Sequence, residues 1–191
     1  MSFLCLLLTA LLARDEAALR EAFDKEFKSK EAKHRAEAVK KLSGAKEEKT
    51  VALLVLGLKD KELEVRKAAA AAIEGSTDGG GVAIKSLGEI LVDKKDDLDL
   101  RLACAKALAR SPYKAEPFTY FFKTITSIDR EERQFHQFGS DVTKILDKFV
   151  GKSFGTGKDT PERWTEWWTD NQEELRKQDA KTLEAWKKDP K

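Results

Sequence analysis

The stretch DKELEVRKAAAAAI, residues 60–73, decides the fold class of this protein. Counting from Arg66, apolar side chains follow at three, four and seven residues, which places them on one face of an α-helix. Alanine occupies every position from Ala68 to Ala72, and side chains this small allow neighbouring helices to approach closely. The whole chain has only four prolines and is rich in residues that favour helix. We therefore expect an all-α protein.

The same pattern occurs three times along the chain. It is found in the segments HRAEAVKKLSG (34–44), VRKAAAAAIEG (65–75) and LRLACAKALAR (100–110). Each segment has an arginine at its second position, and these are Arg35, Arg66 and Arg101. Their spacings of 31 and 35 residues are typical of the repeats of a solenoid.

The segments between these arginine-led stretches repeat as well. VALLVLG (51–57) and VAIKSLG (82–88) match at valine, alanine, leucine and glycine. Each unit is therefore predicted to be a pair of helices. The first helices are expected at 15–28, 47–58, 80–92 and 115–128, and the second helices at 31–43, 61–75, 97–111 and 131–150.

The stretch from Asp60 to Ile73 closely resembles the second helix of a HEAT repeat, an armadillo-like unit. The resemblance implies a right-handed α-solenoid of about four helix pairs over residues 14–151, in which Arg35, Arg66 and Arg101 are structural. The sequence departs from the repeat pattern at three places. Ser29 and Lys95 stand where the acidic turn residue belongs, and Gly139 stands where a fourth arginine belongs.

The resemblance also implies a function. The second helices of such a solenoid line a concave face, and we expect a non-enzymatic scaffold that binds a protein partner there. An enzyme on a HEAT-like scaffold, similar to certain DNA glycosylases or bilin lyases, is the main alternative, and a structural subunit of an envelope assembly is another. The 36 basic and 34 acidic residues nearly balance, which argues against a dedicated nucleic-acid binder.

A tryptophan-rich segment follows the repeats. Asp159, Thr160 and Pro161 predict a helix start. Trp164, Trp167 and Trp168 stand at i, i+3 and i+4 and therefore lie on one face of that helix. The segment resembles one appended to some bacterial HEAT-repeat proteins, and we expect it to cap the open end of the solenoid over residues 152–177, with a charged, partly ordered tail at 178–191. The capping residues are predicted to be Phe149, Phe154, Trp164, Trp167 and Trp168.

The predicted cap carries one further expectation and one alternative. Trp167 is the tryptophan that we expect to be most deeply buried. The alternative to a cap is an exposed aromatic anchor for a partner.

The first thirteen residues, MSFLCLLLTALLA, contain no charged side chain. The apolar run is too short to span a bilayer and has the length of the hydrophobic region of a signal peptide. We expect residues 1–13 to be removed on export to the periplasm or the extracellular space. The alternative is a buried first helix in a cytoplasmic protein.

No stretch of the sequence predicts a catalytic residue, a cofactor or a metal site. GKSFGTGK (151–158) lacks the glycine spacing of a phosphate-binding loop, and the acidic run at 93–100 lacks the glycine and glutamate of a calcium loop. His34 and His136 have no partner at metal-ligand spacing. Cys104 lies among small apolar residues and is expected to be an inert core thiol.

Overall fold

A computed structural model describes residues 15–77, 81–127, 133–157 and 159–189. Within these ranges the chain forms helices and no strand. The helices are α1 (Glu16–Glu26), α2 (Ala32–Lys41), α3 (Glu48–Leu58), α4 (Leu63–Glu74), α5 (Ile84–Val92), α6 (Leu98–Leu108), α7 (Ala115–Ser127), α8 (Arg133–Val150) and α9 (Thr160–Lys188).

The first eight helices form four consecutive pairs, which stack in two layers. In one layer α1, α3, α5 and α7 contact one another in order, and in the other α2, α4, α6 and α8 do the same. The two helices of each pair also pack against each other. Because each pair contacts its neighbours in sequence, the architecture is the predicted α-solenoid. The expected helix pairs are confirmed, although α5 begins at Ile84, after Gly81 at a φ of 72°.

Small residues allow neighbouring helices to pack closely, both between the two layers and within one of them. Ala69 and Ala70 of α4 are fully buried. A Cβ atom built on Gly57 of α3 would lie 2.9 Å from the Cβ of Ala69. At Gly88 of α5, which holds the same repeat position, a Cβ would overlap the ring of Tyr120 in α7. The repeated glycine therefore marks the points where another helix comes too close for a larger residue.

Helix α3 receives a cap from another helix. The carboxylate of Glu16, which is buried in α1, accepts hydrogen bonds from the backbone N–H of Lys46 (2.7 Å) and Glu47 (3.2 Å). Burial raises the pKa of the Glu16 carboxyl, but hydrogen bonds from Thr50 and these two amides lower it overall. The first unit is thereby tied to the start of the second.

The C-terminal segment is a single long helix. Helix α9 runs without interruption from Thr160 to Lys188, across the boundary expected at residue 177, and it packs against α7. The expected signal peptide at 1–13 lies outside the described residues. None of the helices that the structure describes is both long and apolar enough to cross a membrane.

Candidate functional site

Arg35 joins the first two helix pairs. Its Nε and Nη2 donate hydrogen bonds to the two carboxylate oxygens of Asp60, at 2.7 and 2.8 Å. Its Nη1 donates to the backbone carbonyls of Ser29 and Lys30 in the turn of its own unit. Arg35 is buried, and only 6% of the Asp60 side chain is exposed. The arginine therefore connects two consecutive turns.

Arg66 repeats this arrangement one unit further along. Its Nη1 donates to the carbonyls of Asp60 and Lys61, and its Nη2 donates to Asp96 at 3.0 Å. In the third unit Asp96, and not residue Lys95, supplies the carboxylate. The missing acidic residue at Ser29 has no effect on Arg35, because Arg35 takes its carboxylate from the following unit and only carbonyls from its own turn.

Arg101 departs from the pattern. Its Nε donates to the backbone carbonyl of Leu91 at 2.9 Å, and its guanidinium carbon lies 4.4 Å from the ring centroid of Phe138. The side chain is buried, and burial lowers the pKa of Arg101, against the attraction of Asp93 and Asp96. Within the described residues its Nη1 has no hydrogen-bond partner. Arg35 and Arg66 thus bind a carboxylate of the following unit, and among the residues that the structure describes Arg101 does not.

Phe118 of α7 is the centre of the aromatic cluster at the end of the solenoid. Its ring is stacked on Trp168 with centroids 4.5 Å apart, and it contacts Trp167 at 5.4 Å and Trp164 at 5.7 Å. Phe154 meets Trp164 edge-on at 4.7 Å. The first three of the four tryptophans of α9 therefore pack on one residue of α7, which the sequence did not single out as their partner.

The depth of the individual tryptophans differs from the expectation. Trp164 is fully buried, whereas Trp167 is only partly buried, so the expected order is wrong. Trp164 comes first in α9 and lies between Phe118 and Phe154, which enclose it. Phe149 is buried away from the tryptophans, where it contacts Phe121 at 5.6 Å and the ammonium group of Lys114 at 4.0 Å.

The second half of α9 is attached to the solenoid through a carboxylate. Asp179 accepts hydrogen bonds from the backbone N–H of Lys114 and Ala115, at the start of α7. One turn further along, Leu183 packs against the hydrophobic core. The part of the chain expected to be a partly ordered tail therefore contains a defined contact, and sequence reasoning missed it.

The solvent-exposed side of the second helices is a candidate interaction surface, here called the inner face. The residues exposed or partly exposed on it include Lys33, Glu37 and Lys40 of α2, Glu64, Lys67 and Ala71 of α4, and Asp99, Ala103 and Lys106 of α6. Lys67 pairs with Asp97 at 2.8 Å and with Asp99 at 3.2 Å, which joins α4 to the start of α6. The inner face is charged on several units and has small residues between the charges.

Cys104 and the acidic run at 93–100, which contain residue types found in catalytic and metal sites, make structural contacts in this fold. Cys104 is buried, and burial raises the pKa of its thiol to about 12, so it is not a nucleophile at neutral pH. In the acidic run, Asp96 binds Arg66 and Asp97 accepts a hydrogen bond from the backbone N–H of Leu100 at the start of α6. Across the described parts of the chain, no group of three or more His, Cys, Asp or Glu side chains could hold a metal ion.

Stacked helix pairs joined by arginines and closed by an aromatic helix define an α-solenoid. Residues 16–109, which contain α1 to α6, match the family model for HEAT repeats. The HEAT repeats that the sequence predicted are therefore confirmed over this part of the chain. The match ends before α7, so the fourth helix pair, with glycine in place of its arginine, lies outside it. No curated protein matches the sequence.

Proposed function

We propose that this protein is a non-enzymatic interaction scaffold that binds a protein partner on the concave face of the solenoid. HEAT repeats generally act as protein-interaction scaffolds. The observation that carries the proposal is the inner face, where side chains such as Lys40, Ala71 and Lys106 at one repeat position are all exposed on successive helices. A surface repeated across several units suits an extended partner better than a small molecule.

The chemistry of the inner face supports a protein partner. Its charges have both signs, with Lys33, Glu64 and Asp99 at one repeat position and Lys40 and Lys106 at another. Mixed charges of this kind give orientation and specificity to a protein contact. The alanines between them leave room for side chains of the partner.

The experiment compares two variants as baits in affinity capture from the native source. Ala71→Arg fills the middle of the inner face, while Thr119→Arg introduces an arginine at a partly exposed position of α7 in the other layer. We expect a partner that the wild-type protein and Thr119→Arg both retain and that Ala71→Arg loses, with equal thermal stability of all three. Equal retention by Ala71→Arg would contradict the placement of the partner on this face.

We also propose that the protein is exported after removal of residues 1–13. What supports this is the uncharged apolar run at the start of the sequence, which has the length of a signal-peptide core. Expression in a secreting host followed by intact-mass measurement tests it. We expect an N-terminus near Arg14 on the exported protein, and an exported chain that retains Met1 would contradict the proposal.

A further inference from the structure

The three turns inside the first three helix pairs lie side by side along one edge of the solenoid. They are residues 27–31, 59–62 and 93–97. Arg35 binds two carbonyls of the first turn and Asp60 of the second. Arg66 binds two carbonyls of the second turn and Asp96 of the third. The hydrogen bonds therefore place each turn next to the following one.

Two exposed lysines project from each of these turns. Lys28, Lys59 and Lys94 each stand seven residues before the arginine of their unit, so they hold one repeat position. The six lysines, here called the lysine edge, are Lys28, Lys30, Lys59, Lys61, Lys94 and Lys95, and all are exposed. Within the described ranges, the one ion pair that any of them makes is a 4.0 Å contact between Lys61 and Glu62.

The acidic residues of the turns do not balance these lysines, because most of them are bound elsewhere. Asp60 pairs with Arg35, Asp96 with Arg66 and Asp97 with Lys67. Each turn keeps a single exposed acidic side chain, and these are Glu31, Glu62 and Asp93. The ion pairs that join the repeats thus leave an excess of positive charge along this edge, although the net charge of the whole chain is only +2.

We propose that the lysine edge docks an acidic segment of a protein partner, with carboxylates spaced to match successive turns. Stacked helices lie about 10 Å apart. A partner helix with acidic side chains at every seventh residue presents them about 10.5 Å apart. The lysine edge lies on the turns, whereas the inner face lies on the helices that follow them, so the inference goes beyond the proposed function and does not depend on it.

A protein segment fits this edge better than a nucleic acid or an anionic membrane. The phosphates of a nucleic acid or a membrane form a continuous negative array. Such an array would be repelled by the exposed acidic side chain that each turn carries beside its lysines. A protein can place carboxylates opposite the lysines and neutral or basic groups opposite Glu31, Glu62 and Asp93. Periodic lysines with an acid in every turn therefore favour a partner whose charges are also periodic.

The experiment measures binding of a fluorescent helical peptide, the spaced peptide, in a background of alanine and glutamine. Two adjacent glutamates recur in it with a period of seven residues. A second peptide of identical composition, the clustered peptide, carries all its glutamates at one end. The test variant combines Lys28→Gln, Lys59→Gln and Lys94→Gln. The control combines Lys49→Gln, Lys177→Gln and Lys181→Gln, which removes the same charge from exposed lysines outside the edge.

At low salt we expect the spaced peptide to bind the wild-type protein and the control with equal affinity. We expect its affinity for the test variant to be at least roughly tenfold lower. The clustered peptide should bind the wild-type protein more weakly than the spaced one. Equal losses in the two triple variants, or equal binding of the two peptides, would overturn the proposal. So would vesicles containing phosphatidylserine, or duplex DNA, that bind through these lysines more tightly than the spaced peptide does. The Ala71→Arg variant should bind the spaced peptide normally, which separates this test from that of the inner face.

Discussion

The carboxylate of Asp179 accepts two backbone hydrogen bonds at the start of α7, from Lys114 at 2.7 Å and Ala115 at 2.8 Å. The first amides of a helix have no partner within the helix, and a side-chain oxygen that binds them acts as a cap. Asp179 lies more than sixty residues away in the sequence. Glu16 of α1 accepts two backbone hydrogen bonds at the start of α3 in the same way. At both ends of the solenoid, a carboxylate from another helix therefore holds the start of a helix in place.

Asp179→Ala should destabilise the protein by about 0.5–2 kcal/mol, the usual range for the loss of a helix cap. Two amides of α7 would lose their acceptor, and α9 would lose one of its attachments. Urea unfolding followed by circular dichroism measures the change. Asp170→Ala on the same helix is the control, because Asp170 is exposed and should change stability by less than about 0.5 kcal/mol. Equal stability of the two variants would show that the cap contributes nothing.

Ala69→Leu should destabilise the protein by about 1–3 kcal/mol through overpacking. Ala69 is fully buried and faces Gly57 across the layers, so the extra carbon atoms have no space. Ala71→Leu, two residues further along α4 at an exposed position, is the matched control and should have little effect. Thermal melts of the two variants check the register of the repeat. A larger loss in Ala71→Leu than in Ala69→Leu would contradict it.

The sequence predicted the repeat well and the contacts of the C-terminal helix poorly. The physical reason is that the repeat pattern is periodic along the chain, whereas contacts between distant helices leave no periodic pattern. The arginine, alanine and leucine positions of each unit recur at fixed spacing, so the helix pairs and the buried face of α4 follow from periodicity alone. The partner of the tryptophans, Phe118, comes from another helix and has no periodic relation to them. Asp179 resembles any other charged residue of α9 until its two amide partners are known.

The arginines show the same limit. Arg35 and Arg66 follow the repeat pattern, and their carboxylates come from the turn of the following unit. Arg101 has the same sequence context but stacks on Phe138, because the fourth unit places an aromatic residue beside it. A motif therefore predicts the position of a side chain along its helix, while its contacts depend on the next unit.

The ion pair between Arg35 and Asp60 should make stability depend on pH. The hydrogen bond from Arg35 lowers the pKa of the Asp60 carboxyl, although burial opposes this. Since the pKa in the folded protein lies below that in the unfolded chain, about 3.9, the pair contributes fully above that pH. Its contribution is lost as the pH falls through the folded-state pKa.

A double-mutant cycle with Asp60→Asn and Arg35→Gln tests this. We expect the coupling between the two residues, measured by urea unfolding, to be constant from neutral pH down to about pH 5 and to shrink below about pH 4. Each single variant should be less stable than the wild-type protein at neutral pH, because it leaves its partner with unmet hydrogen bonds. A coupling that grew on acidification would contradict the assigned direction of the pKa shift.

Trp164→Ala should be the most damaging substitution in the C-terminal cap. The side chain is fully buried between Phe118 and Phe154, and removal of a large aromatic from such a site costs about 3–5 kcal/mol. Trp167→Ala should cost less, because Trp167 is partly exposed. Thermal melts of the isolated protein give the order, and binding of a hydrophobic dye reports exposure of Phe118. If Trp164→Ala changed stability by less than about 0.5 kcal/mol, α9 would not be a structural cap, and its tryptophans would have to act as an anchor for a partner.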